Sequence, residues 1–352
     1  MQWDVFCRVV DHFGDIGVCW RLAADLASRG ERVSLWVDDR SALAWMAPGG
    51  AVGVTVRDWG AEAGRARPGD VVVEAFGCNP PAAFVQQMAK KPSAPIWINL
   101  EYLSAEAAVE RNHTLPSPQL DGPGTGLVKW FFYPGFTEAT GGLIRETGLQ
   151  DRQRTFDAPA WLRAQGLGRG QDERLVSLFC YANPSLPALL ARLADAPTLL
   201  LATAGIAADQ VRRALGPALT RESLRAAVLP ALTQPDYDAL LWASDLNFVR
   251  GEDSFVRAQW AGKPFVWQVY PQHDRAHEVK LDAFLQRHLA SAEPRLAAEV
   301  RALWCAWNGA GDRPLDLAPL PAWRQHCAAW RAGLLAQDDL TRQLLRFVAE
   351  RR

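Results

Sequence analysis

Segments with strand character alternate with amphipathic helical segments along most of this chain, and this alternation restricts its fold more than any other feature. A strand from about Trp3 to Val10 is followed by a helix from about Ile16 to Ser28. Further strands are predicted near 31–39, 53–57, 70–75 and 96–101. Strands that alternate with helices favour a mainly parallel sheet covered on both faces. The predicted fold class is therefore α/β.

A second alternating series starts after the polar segment 166–173, which is the predicted domain boundary. Its strands are predicted near 175–182, 197–204, 226–232, 245–249 and 265–270, with helices around Val211, over 236–243 and from Ser254. A chain of 352 residues exceeds what one hydrophobic core usually supports. We therefore expect two Rossmann-like domains, over 1–172 and 173–335, with a cleft between them as the natural site and a last helix within 336–352.

Composition excludes several classes of protein. With 38 basic and 39 acidic side chains the net charge is -1, so no overall field recruits nucleic acid or an anionic membrane. The start of the chain lacks the pattern of a signal peptide, and no apolar segment is long enough to span a membrane. We expect a cytoplasmic protein without nucleic-acid or membrane partners. The six cysteines lack CxxC spacing, which favours reduced core residues over a metal site.

The stretch from about Ser104 to Gly126 is rich in proline, glycine and polar residues and is predicted to be a long loop. Long loops in compact domains are often functional, and a mobile connector is the alternative. The sequence leaves open whether this segment closes over a site.

The predicted loop between the first strand and the first helix, DHFGDIG at 11–17, carries two carboxylates. It follows the carboxyl end of a parallel strand, where ligands of open α/β sheets bind and where a helix N-terminus presents unpaired N–H groups. Gly14 and Gly17 let the backbone turn sharply and approach a substrate closely. The loop lacks the GxGxxG pattern of a dinucleotide site.

Asp15 has two interpretations at this stage. In one, its carboxylate caps the helix that follows. In the other, Asp15 or Asp11 acts as a general base while the other carboxylate positions the acceptor. Both can hold for a carboxylate in such a loop. His12 is a weaker candidate for the base, because a lone histidine beside carboxylates in a turn more often serves as a hydrogen-bonding residue.

A second polar turn, RGEDS at 250–254, connects a predicted strand to a helix. Ser254 or Asp253 can cap that helix, whose N–H groups would then be available to a diphosphate beside the cation of Arg250. Glu252 and Asp253 would repel phosphate, so one of them is expected to accept hydrogen bonds from ribose or sugar hydroxyls. The alternative is an ordinary helix start with solvated charges.

The next predicted strand ends at Tyr270, and the loop PQHD at 271–274 follows it on the same side of the sheet. Tyr270 could reach a phosphate from this position. Alternatively, it is a strand-end aromatic side chain that covers the core.

Three strings in this chain resemble those of the elongation factor P arginine rhamnosyltransferases. They are FCRVVDHFGDIGVCWRLA at 6–23, LFCYAN at 178–183 and DLNFVRGEDSFVRAQWAGKPFVWQVYPQ at 245–272. The likeness covers essentially the whole chain in the same order. It implies the B type of glycosyltransferase fold, with two Rossmann-like domains facing a cleft and a C-terminal helix that crosses back to the first domain.

The resemblance also implies an activity. The domain 1–172 would bind elongation factor P, the domain 173–335 would hold TDP-rhamnose, and the helix within 336–352 would pack on the first domain. The enzyme would move rhamnose to an arginine side chain with inversion at the anomeric carbon, without a metal ion or a cofactor other than this co-substrate. The modified factor would then be active in the rescue of ribosomes stalled at polyproline.

The family pattern also assigns residues. Asp11 and Asp15 match its two loop aspartates and Glu252 its glutamate, so these three are the predicted catalytic residues, with Asp15 favoured as the base or the carboxylate that orients the acceptor. The predicted donor-binding residues are Phe13, Gly14, Gly17, Phe179, Tyr181, Gln234, Arg250, Glu252, Asp253, Ser254 and Tyr270. Among them, Gln234 would read the thymine edge and Phe179 would lie near the sugar. The chain departs from the pattern at His12, where Asn is usual, and at Ala231, where an aromatic residue is expected to stack on the base.

Two alternatives remain at this point. The chain would otherwise be a B-type glycosyltransferase for another sugar nucleotide or acceptor, or a module that binds a translation factor without catalysis.

Overall fold

A computed structural model describes residues 1–11, 13–60, 62–270, 276–310 and 315–352. The chain divides into two compact units. The first comprises Met1–Leu149 and Leu334–Arg352, and the second comprises Gln150–Gly333.

The first unit is built on a seven-stranded sheet. Its strands are β1 (Gln2–Cys7), β2 (Arg32–Val37), β3 (Val54–Asp58), β4 (Val71–Ala75), β5 (Ile96–Leu100), β6 (Pro116–Pro118) and β7 (Val128–Phe132). Its first four helices are α1 (Gly14–Ser28), α2 (Leu43–Met46), α3 (Ala82–Ala89) and α4 (Ala107–Asn112), and two 3₁₀ turns lie at Ala63–Arg65 and Gly122–Gly124. The strand order is β3-β2-β1-β4-β5-β7-β6, and the recorded pairings are parallel except that between β6 and β7.

Near-continuous apolar runs explain why the central strands of this sheet are buried. All five residues of β4, VVVEA, are buried, as expected of a parallel strand covered on both faces. Phe6 of β1 and Trp36 of β2 pack with Phe84 of α3 in one core cluster. Since alternate residues of a strand point to opposite faces, these two residues mark the face that α3 covers.

The second unit contains a six-stranded sheet. Its strands are β8 (Arg174–Leu178), β9 (Thr198–Ala202), β10 (Thr220–Arg221), β11 (Leu224–Val228), β12 (Leu246–Arg250) and β13 (Phe265–Gln268). Its helices are α5 (Leu149–Arg154), α6 (Ala158–Ala164), α7 (Leu186–Leu193), α8 (Ile206–Leu215), α9 (Gln234–Ala243), α10 (Asp253–Ala261), α11 (Ala276–His288), α12 (Pro294–Trp307) and α13 (Leu320–Leu335). The strand order is β10-β11-β9-β8-β12-β13, with only β10 antiparallel to its neighbour among the recorded pairs.

Both sheets change direction at an equivalent place in their strand order. In the first unit the chain moves from β1 outward to β3 and then returns to the other side of β1 with β4. In the second unit it moves from β8 outward to β11 and returns with β12. Such switch points leave a crevice at the carboxyl ends of the strands, where ligands of open α/β sheets bind. The predicted α/β class and the two Rossmann-like sheets are confirmed.

The last helix, α14 (Leu340–Ala349), belongs to the first unit, as predicted for the terminal helix. Phe347 packs edge-on against Phe132 of β7, with ring centroids 5.6 Å apart. Asp339, the N-cap residue of α14, accepts a hydrogen bond from the backbone of Arg342 and pairs with Arg29 at 2.7 Å. These contacts join the end of the chain to its first unit.

The position of the domain boundary differs from the expectation of a break at residue 172. The structure places α5 and α6 with the second unit. Leu162 of α6 packs in the same core cluster as Leu175 and Leu240, and the Trp161 indole donates to Asp236 at 3.2 Å. The polar composition of 166–173 therefore marks a surface loop inside the second unit and not the boundary.

The segment predicted as a loop over 104–126 contains α4, β6 and a 3₁₀ turn. Strand β6 pairs antiparallel with β7 at the edge of the sheet. Proline is tolerated on edge strands, because one side of an edge strand makes no ladder hydrogen bonds. The sequence did not predict this short strand, because Pro116 and Pro118 are untypical of strands away from a sheet edge.

The six cysteines form no disulfide in the described part of the chain. Five are buried and Cys305 is half-buried, which confirms the prediction of unbridged, mostly core cysteines. Among the described residues, no helix is both long and apolar enough to cross a membrane.

A buried ion pair connects α9 and α10 in the second unit. The guanidinium of Arg257 donates to both carboxylate oxygens of Asp238, at 2.8 and 2.6 Å. We expect Asp238→Ala to lower the free energy of unfolding of this unit by about 3–5 kcal/mol, because it removes the carboxylate that compensates a buried charge. Denaturant titration followed by tryptophan fluorescence measures this change.

The matched control is Asp151→Ala, which breaks the exposed pair between Asp151 and Arg154 in the same unit. Exposed pairs contribute little to stability, so this variant should unfold close to the wild type. Equal destabilisation by the two substitutions would contradict the role of the buried pair.

Candidate functional site

The carboxylate of Asp15 is fixed by the loop that follows β1. Asp15 is 3% exposed, and its Oδ2 accepts hydrogen bonds from the backbone N–H groups of Val10 at 2.8 Å and Asp11 at 2.9 Å. Helix α1 begins at Gly14, and its N-cap residue, Phe13, makes no side-chain capping bond. Asp15 therefore does not act as the N-cap, which was one of its two interpretations. It binds the preceding loop instead.

Gly14 brings the second carboxylate of the turn close to the helix start. The N–H of Gly14 donates to the carbonyl of Asp11 at 2.9 Å. A Cβ atom at position 14 would lie 2.6 Å from Oδ2 of Asp11, closer than two such atoms can approach. Only glycine therefore fits here while Asp11 keeps its position.

The surroundings of Asp15 make it a stronger base than an ordinary aspartate. Burial raises its pKa, and the negative charges of Asp11 and Asp38 act in the same direction. The hydrogen bonds from Val10 and Asp11 lower the pKa and oppose part of this effect. A carboxylate with a raised pKa, held in a fixed position, is suited to accept a proton.

Two further predicted residues of this loop lie beside the carboxylates. The ring of Phe13 packs edge-on against Trp45, with centroids 5.2 Å apart. Gly17 is buried within α1, and its N–H donates to the carbonyl of Phe13 at 3.1 Å. His12 and the loop 271–274 lie outside the described residues, so their predicted roles stay predictions.

In the second unit, four predicted donor residues are in contact. The guanidinium of Arg250, at the end of β12, lies 4.5 Å from the ring centroid of Phe179 and 4.2 Å from that of Tyr181. The ring of Tyr181 packs edge-on against that of Tyr270, with centroids 5.4 Å apart. Tyr270 is 44% exposed, so it does not cover the core. The carboxyl ends of β8, β12 and β13 thus bring a cation and three rings together beside the switch point of this sheet.

The turn from Arg250 to Ser254 is held by its own side chains and by the next strand. The hydroxyl of Ser254 accepts from the N–H of Arg250 at 3.0 Å and donates to the carbonyl of the same residue. The indole of Trp267 donates to the carbonyl of Gly251 at 2.8 Å, and Gly251 has a φ of 63°, which favours glycine. Trp267 is itself buried and stacked on Phe255, so the core of this unit holds the turn in place.

The start of α10 differs from the prediction that Ser254 caps this helix. The helix starts at Asp253, and its N-cap residue, Glu252, makes no side-chain capping bond. Because the hydroxyl of Ser254 is engaged with the backbone of Arg250, it does not close the helix end. Asp253 is buried and Glu252 half-buried at this start.

Gln234 is buried at the first position of α9, after the N-cap residue Thr233. One turn later the ring of Tyr237 contacts that of Phe179, with centroids 5.6 Å apart. Helix α9 therefore starts beside the loop that carries Phe179 and Tyr181. Ala231, where an aromatic residue was expected, is exposed in the segment before this helix.

Two glutamines that the sequence analysis did not select hold the backbone of Tyr181. Gln268 accepts from the N–H of Tyr181 at 2.9 Å, and Gln210 donates to its carbonyl at 3.1 Å. An amide side chain can donate and accept at once, and Gln210 also accepts from the N–H of Asn183 at 2.8 Å. The one signal for this in the sequence is a polar residue, Gln268, at the end of the apolar strand FVWQ.

Each site has a chemical capability of its own. The loop of the first unit offers two carboxylates, which can bind a cationic group through paired hydrogen bonds and accept a proton. The turn of the second unit offers a fixed guanidinium at a helix start, which suits a diphosphate. Among the described residues, no three His, Cys, Asp or Glu side chains are grouped so that they could hold a metal ion.

Comparison with known proteins finds relatives that match along the whole chain. The family model described as "Elongation-Factor P (EF-P) rhamnosyltransferase EarP" matches residues 3–349. A protein-arginine rhamnosyltransferase of Pseudomonas aeruginosa is 44% identical over an alignment of 377 positions, which covers 99% of each chain.

Solved structures agree with the sequence relatives. The structure that gives the basis for EarP-mediated arginine glycosylation of translation elongation factor EF-P superposes with a TM-score of 0.70 and 32% identity over 99% of both chains. The glycosyltransferase VinC superposes with a TM-score of 0.54 at 14% identity over the full length of both chains. The second likeness concerns the fold alone.

The raised pKa of Asp15 leads to a prediction on stability. Because the pKa is higher in the folded state, ionisation of Asp15 favours unfolding, and its stabilising contribution is lost as the pH rises from its ordinary pKa through the raised value. In Asp15→Asn the amide oxygen can still accept from Val10 and Asp11. We expect this variant to be at least as stable as the wild type near about pH 7. Below that pH, its stability should change less with pH than that of the wild type.

Thermal unfolding of both proteins across the acidic range measures this difference, with Asp151→Asn as an exposed control. A neutral-pH melting temperature clearly below that of the wild type would show that the ionised carboxylate stabilises the loop.

Proposed function

The chain belongs to the elongation factor P (EF-P) rhamnosyltransferase family, and from this premise we propose that it transfers rhamnose from TDP-rhamnose to one arginine side chain of EF-P. It is a glycosyltransferase with the B-type fold. The observation that supports the proposal most is the buried Asp15 in a two-carboxylate turn, because an arginine acceptor needs groups that bind and deprotonate a guanidinium.

The acceptor is a poor nucleophile until the site acts on it. A guanidinium has a pKa above about 12 and a delocalised lone pair. Asp11 and Asp15 would bind it through paired hydrogen bonds, which orient one nitrogen toward the anomeric carbon. The same carboxylates stabilise its charged form, so the proton would leave during or after attack and not before.

The transfer would then take place as a single displacement at the anomeric carbon. The nitrogen forms a bond to the anomeric carbon while the bond from that carbon to the diphosphate oxygen breaks, and TDP leaves with the electron pair. Asp15 accepts the proton from the attacking nitrogen. Arg250 and the start of α10 stabilise the charge that grows on the diphosphate.

The donor would lie on the residues around Arg250. Tyr181, Arg250, Asp253, Ser254 and Tyr270 would surround the diphosphate, Phe179 would face the sugar, and Gln234 would read the thymine edge. Glu252 would accept hydrogen bonds from hydroxyl groups of the donor. The contacts of Arg250 with Phe179 and Tyr181 support this assignment, since they fix the cation before the donor binds.

We extend the proposal to the setting of the reaction. Modification would activate EF-P for ribosomes stalled at polyproline, and transfer would take place in the cytoplasm without a metal ion. These points follow from the family resemblance and stay predictions for this chain.

A B-type glycosyltransferase with another donor or acceptor is the competing enzyme, and a translation-factor binding module without catalysis is the competing non-enzyme. A thermal-shift screen of sugar nucleotides separates the first from the proposal. Persistence of EF-P binding without any transfer would favour the second.

The first prediction concerns the reaction itself. After incubation of EF-P with this protein and TDP-rhamnose, we expect the intact mass of EF-P to increase by one deoxyhexose, and peptide mapping to place it on a single arginine. The control acceptor carries lysine at that arginine and should gain no mass. No gain with a folded, arginine-bearing acceptor would reject this donor and acceptor pair.

The second prediction concerns the carboxylates of Asp15 and Glu252. Asp15→Asn should reduce turnover by about 10²-fold or more, because it removes the proton acceptor. Glu252→Gln should also lose transfer while both variants keep the circular dichroism spectrum of the wild type. Near-full turnover in both variants would contradict the assignment of these catalytic residues.

The third prediction concerns stereochemistry. Transfer by one direct displacement inverts the anomeric carbon, so the rhamnose on the product should have the configuration opposite to that in TDP-rhamnose. The one-bond carbon–proton coupling of the anomeric position in the NMR spectrum of the modified peptide distinguishes the two. Retained configuration would require a covalent intermediate or another route.

A further inference from the structure

An aromatic pair, half-buried Phe76 and exposed Tyr102, lies at the carboxyl edge of the sheet in the first unit. Phe76 directly follows β4, and Tyr102 lies two residues after the end of β5. Their rings are stacked, with centroids 4.3 Å apart and planes 12° apart. Tyr102 is 41% exposed although it is a large aromatic side chain. The pair is therefore not part of the core.

The backbone of Phe76 is held in a conformation that bulky residues rarely adopt. Its φ is 59°, in the left-handed region. The N–H of Phe76 donates to the carbonyl of Leu100 at 2.7 Å, and the N–H of Gly77 donates to the side chain of Asn99 at 3.1 Å. These bonds to β5 fix the turn. Residues kept in such conformations by their surroundings are concentrated at functional sites, so this turn is a candidate for one.

The pair is next to the loop of Asp11 and Asp15 in the sheet order. Strand β4 lies directly beside β1, with Phe6 in register with Glu74, and β5 follows β4. The loops after β1, β4 and β5 therefore leave the sheet at the same edge, and those after β1 and β4 flank the switch point. Val10, in the first of these loops, is also exposed.

The residues around the pair favour a cationic partner over an anionic one. Glu101, beside Tyr102 in the sequence, accepts a hydrogen bond from Asn99 at 2.7 Å, and the same asparagine holds Gly77. The edge thus combines aromatic faces with the carboxylates of Glu101, Asp11 and Asp15. A guanidinium is weakly hydrated, stacks on aromatic faces and pairs with carboxylates, so it matches this combination of groups.

We propose that Phe76 and Tyr102 form a platform on which the acceptor's arginine side chain lies before transfer, with Tyr102 against the guanidinium or its stem. The inference rests on the proposed function, because it takes the arginine-bearing segment of EF-P as the occupant. The platform would set the direction from which the arginine reaches the carboxylate turn. Stacking of Phe76 on one face of Tyr102 would keep that ring in place before the acceptor arrives.

Steady-state kinetics with EF-P as the varied substrate at saturating TDP-rhamnose tests the platform. For Tyr102→Ala we expect a KM for EF-P about tenfold above that of the wild type, as the loss of one cation–π contact implies. The dissociation constant of TDP-rhamnose, measured by calorimetry, should stay unchanged. Tyr102→Phe should recover most of the affinity for EF-P, because it restores the ring.

Phe76→Gly provides a second variant that removes a ring while keeping a residue suited to positive φ. It should raise the KM for EF-P in the same direction. Leu120→Ala, at an exposed apolar residue elsewhere in the first unit, is the matched control and should behave like the wild type.

A double-mutant cycle identifies the group that Tyr102 contacts. Binding of EF-P whose target arginine is replaced by alanine should be equally tight to the wild type and to Tyr102→Ala, because the contact is already lost. Additive losses would overturn the contact with the arginine. An unchanged KM for EF-P in Tyr102→Ala, with an active wild type, would overturn the platform alone, whereas an inactive wild type would overturn the proposed function as well.

Discussion

The strand order of the two parallel sheets is the constraint on which the rest of the molecule depends. In each sheet the chain extends to one side of its first strand and then returns to the other side, so the loops on either side of that switch point diverge and leave a crevice. The carboxylate turn follows β1, Phe179 and Tyr181 follow β8, and the Arg250 turn starts at the end of β12. Candidate chemistry therefore gathers at these points because the topology leaves space there, while the central strands themselves are buried.

The side chains in both sites are fixed by hydrogen bonds to main-chain groups at the strand ends and in the loops beside them. Asp15 binds two N–H groups of the loop behind it, and Ser254 and Trp267 bind the turn around Gly251. Tyr181 is held through its N–H and its carbonyl by two glutamines. Each loop is thus shaped before any ligand binds, which reduces the conformational entropy lost on binding.

The sequence predicted the fold well where patterns are long and local. Apolar runs and helical periodicity located the strands and helices of both sheets, and the loop strings located Asp11, Asp15 and the turn at Arg250. The missed features depend on distant partners. Leu162 joins the second unit because of contacts with Leu175 and Leu240, and Gln210 and Gln268 meet Tyr181 only in the folded chain. The interpretations of Asp15 and Ser254 as helix caps were wrong because each side chain found a backbone partner in the preceding loop.

The same residues show how stability and chemistry oppose each other at these loops. Burial of the Asp15 carboxylate raises its pKa and disfavours its charged form, and that ionised form is the one that can accept a proton. Phe76 keeps a left-handed backbone that glycine would adopt more readily. Neither arrangement benefits folding by itself, and both persist because hydrogen bonds to neighbouring strands and loops hold them. A loop shaped for stability alone would not need a buried ionisable carboxylate or a left-handed phenylalanine, and the presence of both beside the switch point of one sheet supports the proposal that this edge binds the acceptor.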